Sequence, residues 1–206
     1  MWAIIKNNEI TKTLNNPKSM IIDNIQYSRK IFSLWSKSER EAKGIYEVVF
    51  DNTNKKDEAY YTNTNQSFAF ADGVVTASYG SATAKAHADT LYTAQDEIDG
   101  KGTEGGVAVE GLKTKLIRTV KQQAASELAN TDWYIVRKAD ANTAIPSAIT
   151  NHRAAVRTKC ASMETAITNA SNTAAIETLY TYVNTADEGD PVVMERPLGE
   201  LPTLEV

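Results

Sequence analysis

The sequence predicts an α+β fold: a small β-rich N-terminal domain with a short helix, then an α-helical bundle or hairpin, then an extended Pro-containing C-terminal tail. Three observations carry this. Two hairpin signals fall within the first 80 residues, apolar side chains recur at helical spacing from about Val109 onward, and three prolines interrupt the last twenty residues. With 206 residues and 42% apolar side chains, the chain has enough material for ordinary globular cores.

WAIIK and EITKTL flank Asn7-Asn8, a pair that tolerates the positive φ of a tight turn, so a β-hairpin opens the chain. In WSKSEREAKG, Ser36 and Glu39 have the spacing of a capping box and Gly44 can end the helix, which predicts a short helix before the strand IYEVVF. SFAFADGVVTASYG sets Asp72-Gly73 between two runs of aromatic and β-branched residues, a type I′ hairpin signal. These elements define a β-rich head domain over 1–80.

Residues 81–108 read as a linker. SATAKAHADTLYTAQ predicts a short helix, and DGKGTEGG gathers Gly100, Gly102, Gly105 and Gly106 into a loop. From about Val109 to Lys138, Leu112, Leu116, Val120, Ala124 and Leu128 predict one long amphipathic helix. Pro146 suits the first turn of the next, whose stripe runs through Ile149, Val156, Cys160, Met163, Ile167 and Ala170. Asn172 can cap a third helix carrying Ile176, Leu179, Tyr180 and Val183. Three stripes with short connections predict a helical bundle over 109–186. In the tail, 187–206, Pro191, Pro197 and Pro202 forbid a continuous helix. Val192, Val193, Met194, Leu198, Leu201 and Leu204 give it side chains with which to dock on another chain.

The net charge of −4 supplies no overall pull toward nucleic acid or an anionic membrane. MWAIIKNNEI reads as neither a signal peptide nor a membrane span, so the expectation is a protein made and kept in the cytosol, or released by lysis, without membrane insertion. The single cysteine, Cys160, reads as a small buried hydrophobe, and His152 as a packed histidine beside the Ile149/Val156 stripe. Asp96, Glu97 and Asp99 could bind a cation, but the calcium-loop pattern is incomplete and a solvated loop is the preferred reading. The glycines match no phosphate-binding loop and no serine lies in GxSxG, so neither a cofactor nor a catalytic residue is expected. Lys113, Lys115, Arg118 and Lys121 alternate with apolar positions and read as a solvated helix face, not a nucleic-acid surface.

ANTDWYIVRKADANTAIP, residues 129–146, reads as a helical-hairpin corner. Trp133 is expected to plug the end of the bundle, and Arg137 and Lys138 to complement a helix C-terminus. Arg153 and Arg157, four apart on the next helix, come within reach of Asp132 if the helices are antiparallel.

TDWYIVRKAD followed by AIPSAITNHRAAVR resembles the helical C-terminal region of bacteriophage tail-fibre and tail-fibre-assembly-associated proteins. MWAIIKNNEI, WSKSEREAKGIYEVVFDNTNKKDEAYY and FADGVVTASYG are similar to short tail-associated proteins of marine phages. Together these segments touch about two thirds of the chain, and Thr131, Asp132, Trp133, Arg137, Lys138, Pro146, Arg153 and Arg157 stand at matched positions. The chain lacks the long repeat of a fibre shaft, and the glycine loop and proline-rich tail lie outside the pattern. The resemblance implies a non-enzymatic virion protein of the tail, partnered by other tail proteins and by copies of itself, and in a position to contact the host surface. Two alternatives are an assembly chaperone absent from the mature virion and a tail-borne enzyme that degrades the host envelope.

Overall fold

The structure is a computed structural model that describes residues 1–64 and 66–204; Glu205 and Val206, the end of the expected docking tail, lie outside the described residues. It is α+β, a β-rich half-barrel region followed by a helical one, and the chain divides into two compact units, Met1–Thr83 and Ala84 onward.

In the first unit, β1 (Trp2–Lys6) and β2 (Glu9–Leu14) form the opening hairpin, with Asn7 and Asn8 at φ 52° and 65°, as a type I′ turn requires. A second hairpin, β3 (Met20–Ile22) and β4 (Ile25–Tyr27), turns through Asp23 and Asn24 at φ 52° and 62°. After α1 (Ile31–Leu34), the expected capping box opens α2 (Lys37–Ala42): Ser36 N–H donates to Glu39 Oε2 at 2.7 Å, and Glu39 N–H donates to Ser36 Oγ at 3.3 Å. Gly44 follows at φ 71°, where a Cβ would lie 2.3 Å from the Ile5 carbonyl oxygen, so only glycine lets the chain enter β5 (Ile45–Asp51).

After β6 (Tyr61–Thr62), the hairpin of β7 (Ser67–Ala71) and β8 (Val74–Ser78) turns at Asp72-Gly73, and β9 (Thr83–Ala84) pairs with β6. The main sheet has the order β2-β1-β5-β8-β7, with β5 and β8 parallel and the other pairs antiparallel. Ala3, Val48, Val75 and Ala77 are buried with Phe68 and Phe70 on one side. Leu14, Ile31, Phe32 and Ile45 form the second core, where Trp2 meets Phe32 and Tyr27 meets Trp35 edge-on, each at 5.1 Å.

The second unit opens with β10 (Thr90–Leu91), α3 (Ala94–Ile98) and β11 (Val107–Val109), the two strands pairing antiparallel. The helix expected across SATAKAHADTLYTAQ is confined to its end, because residues 86–89 form a bend held at the start of α4 (Leu112–Ala129). Ala86 and His87 carbonyls accept from Leu112 and Lys113 N–H at 2.9 and 3.0 Å, and the Asp89 carboxylate accepts from Gly111 N–H at 2.7 Å and Thr114 Oγ1 at 2.8 Å. Unpaired donors of a helix start are thus capped from a neighbouring segment. Those bonds, the Gly111 N–H first, hold the Asp89 carboxyl below its ordinary range.

The single long helix expected to Lys138 breaks after Ala129. It resumes as α5 (Asp132–Ala141), followed by α6 (Ser147–Asn169) and α7 (Thr173–Tyr180), the last capped by Asn172 as its sequence predicts. The core joins Val120 and Ala124 of α4 to Val156, Cys160, Met163 and Ile167 of α6. β12 (Val183–Asn184) and β13 (Met194–Glu195) form a last two-stranded hairpin. Among the described residues, no helix is long and apolar enough to cross a membrane.

Candidate functional site

The helix breaks at Thr131 because its acceptor is taken. In a continuous helix the Leu128 carbonyl would receive the Asp132 N–H. Here it receives the Thr131 N–H at 3.0 Å, the Thr131 hydroxyl at 3.0 Å and Arg153 Nη1 at 2.8 Å. Thr131 itself sits at φ −119° and ψ 5°, outside helical geometry, and is 1% exposed.

Arg153 reaches this corner from α6 and is 8% exposed. Its Nη1 lies 2.8 Å from the Leu128 carbonyl, 2.7 Å from Thr131 Oγ1 and 2.8 Å from Asp132 Oδ1. That nitrogen carries two hydrogens, so three acceptors share them, while the positive charge faces both a carboxylate and the negative end of α4. Sequence spacing anticipated the pairing of Arg153 with Asp132. Arg157 does not join it: its side chain is exposed and donates to the Arg153 carbonyl at 3.4 Å along the same helix. His152, also buried, places Nε2 3.4 Å from Glu127 Oε1, near enough to pair when protonated but not aligned as a hydrogen bond. Cys160 is buried in the core, and burial together with the Glu164 carboxylate beside it pushes its thiol up, away from a nucleophilic thiolate.

Trp133 is not the buried plug that its apolar surface predicted. It is 51% exposed, because the turn at Thr131 puts threonine and arginine into the corner and swings the tryptophan outward. Its ring lies 3.9 Å from that of Tyr134, and Arg137 covers both, 4.6 Å from the tryptophan and 5.2 Å from the tyrosine. Arg137 therefore stacks on aromatic rings. Ile135 and Val136 of the same helix are exposed too, so α5 displays apolar side chains interspersed with the exposed charges of Asp132, Lys138 and Asp140.

The tail anchors separate into two groups. Leu198 is 2% exposed, donates its N–H to the Leu179 carbonyl at 3.0 Å and belongs to the α4/α6 core; Leu201 packs against that core and Leu204 is half-buried. These residues dock on their own chain. Val192, Val193 and Met194 remain exposed on the β12/β13 hairpin, Val192 at 69%. Between the groups, Arg196 donates Nε to the Gly199 carbonyl at 3.1 Å and Nη2 to Glu200 at 2.7 Å, and lies over Tyr180 and Tyr182. Arg196 is not among the residues expected from sequence; its position just before Pro197-Leu198-Gly199 is the available signal. Asp96, at the acidic site weighed above, caps α3 through Thr93 and pairs with Lys101 at 2.9 Å, and no group of three or more metal-ligating side chains occurs among the described residues. Neither a protein-family profile, nor a curated protein, nor a solved structure matches the chain.

Proposed function

We propose that this chain is a non-enzymatic structural protein of a bacteriophage tail, an adaptor, collar or fibre-associated component that works by binding other tail proteins and copies of itself. The observation that carries the reading is the division of labour in the segment resembling tail-fibre-associated proteins. Thr131, Asp132 and Arg153 lock a helical corner, while Trp133, Ile135 and Val136 beside them face outward. A rigid corner presenting exposed apolar side chains suits protein–protein contact. Contact with the host surface follows if that face lies at the tip of the assembly.

Quantitative mass spectrometry of purified particles and of infected-cell lysate tests the proposal. Presence in mature virions at a fixed ratio to other tail proteins is expected. Confinement to the lysate would instead identify an assembly chaperone, and hydrolysis of host envelope by the purified chain would identify an enzyme.

A further inference from the structure

Charge is unevenly distributed along this chain. Residues 1–43 hold eight Lys and Arg against four Asp and Glu, whereas from Cys160 to Glu195 there are six carboxylates and neither Lys nor Arg. The fold turns each bias into a surface.

In the first unit, two open clefts of 690 and 620 Å³ share the loop after β2. Lys12 and Lys18 line one; Arg29 and Lys30 line the other, against Trp2 and Phe32. Neither cleft has a carboxylate in its lining, and none of these four cations is ion-paired among the described residues, although Lys37, Lys43 and Lys55 of the same unit are. β2, whose Lys12 lines the first cleft, stands at one end of the sheet order and approaches β7 at the other.

The second unit carries the complement. The β12/β13 hairpin exposes Asp187, Glu188 and Asp190 in its loop, with Val192 and Val193 beside them. Its two strands pair only with each other among the described residues, so each presents an outer edge. It is a short acidic strand pair with apolar side chains, whereas the Arg29/Lys30 cleft is basic with an aromatic wall, and the Lys12/Lys18 cleft across the same loop adds further positive charge.

We propose that the occupant of the basic cleft is the acidic hairpin of a second copy of this chain, giving head-to-tail association. Unlike surfaces meet, so a dimer joined by one such contact leaves one cleft and one hairpin unused, and association continues past the dimer. Opposite charges set the register and the approach rate, and the valines and Trp2 supply apolar contact. The inference deepens the proposed binding between copies and rests on it, and it is read on purified protein, so its failure is distinguishable from absence of the chain from particles.

Sedimentation velocity of the full chain tests it. Wild-type chain is expected to grow beyond dimers with concentration at about 20 mM NaCl, its association weakening at least ~10-fold at about 0.5 M. Arg29→Glu/Lys30→Glu and Asp187→Lys/Glu188→Lys/Asp190→Lys chains should each be monomeric. Their equimolar mixture should form a heterodimer and nothing larger, because one supplies the intact hairpin and the other the intact cleft. Circular dichroism checks that each variant folds, and Lys12→Glu/Lys18→Glu replaces the first cleft variant if it does not. A wild-type chain that stays monomeric, single-surface variants that associate as wild type does, or a mixture that remains monomeric would each overturn the proposal. So would a monomeric wild-type chain that binds a single-stranded oligonucleotide through Arg29 and Lys30.

Discussion

Arg153 shows how one side chain fixes a change of chain direction. Its guanidinium satisfies the Leu128 carbonyl, holds Thr131 and pairs with Asp132, all from a position withdrawn from water. Replacing it with Met takes one of three donors from the Leu128 carbonyl and the donor from the buried Thr131 hydroxyl, and should cost about 1–3 kcal/mol. Lys should recover little, since a single ammonium on a flexible stem cannot reproduce the planar fork. Urea denaturation of both variants checks this, and an unchanged midpoint for Arg153→Met would refute the locking role. The opposite holds for Trp133: half exposed and stacked on Tyr134, it should lose no more than about 1 kcal/mol on replacement by Ala. A loss of several kcal/mol there would restore the buried-plug reading that its apolar surface suggested.

At the scale of elements, the tail joins the helical unit's core through Leu198 and Leu201. Leu198→Ala should cost about 2–4 kcal/mol through the cavity it leaves. Removing residues 187–206 should lower the melting midpoint, contrary to the expectation of a tail that docks only on other chains; a midpoint equal to that of the full chain would contradict this packing. The cap of α3 makes a pH prediction. Asp96 accepts from Thr93 N–H, with Lys101 and the Thr93 hydroxyl adding to the effect, and its carboxyl falls from 3.8 to about 2. Because the folded value is the lower one, its stabilisation is complete above the ordinary value and is lost as pH falls through this window. Asp96→Asn should flatten the pH dependence of stability between those two values, and an unaltered profile would count against the cap.

The elements legible in the sequence were those with local causes: Asn7-Asn8, Asp72-Gly73, the Ser36/Glu39 box and the Asn172 cap each act within a few residues. What escaped was set at a distance. Residues 86–89 bend to cap α4 and so do not form a helix of their own, and the helix breaks at Thr131 because Arg153 arrives 22 positions later. At the candidate site the Asp132–Arg153 pair was legible from helical spacing, whereas the exposure of Trp133 depends on that break.

Over the whole molecule, each unit has its own core, and the exposed apolar side chains of the second unit lie apart from the residues that stabilise it. Trp133 and Val136 on α5, and Val192 to Met194 on the last hairpin, do not belong to the buried core. Stability and assembly should therefore be separable by mutation. The most direct measurement takes a Trp133→Ser/Val136→Ser chain and reads its melting midpoint together with its copies per purified particle. A midpoint close to wild type and a particle that has lost the protein are expected; full incorporation of that variant would contradict an assembly role for α5.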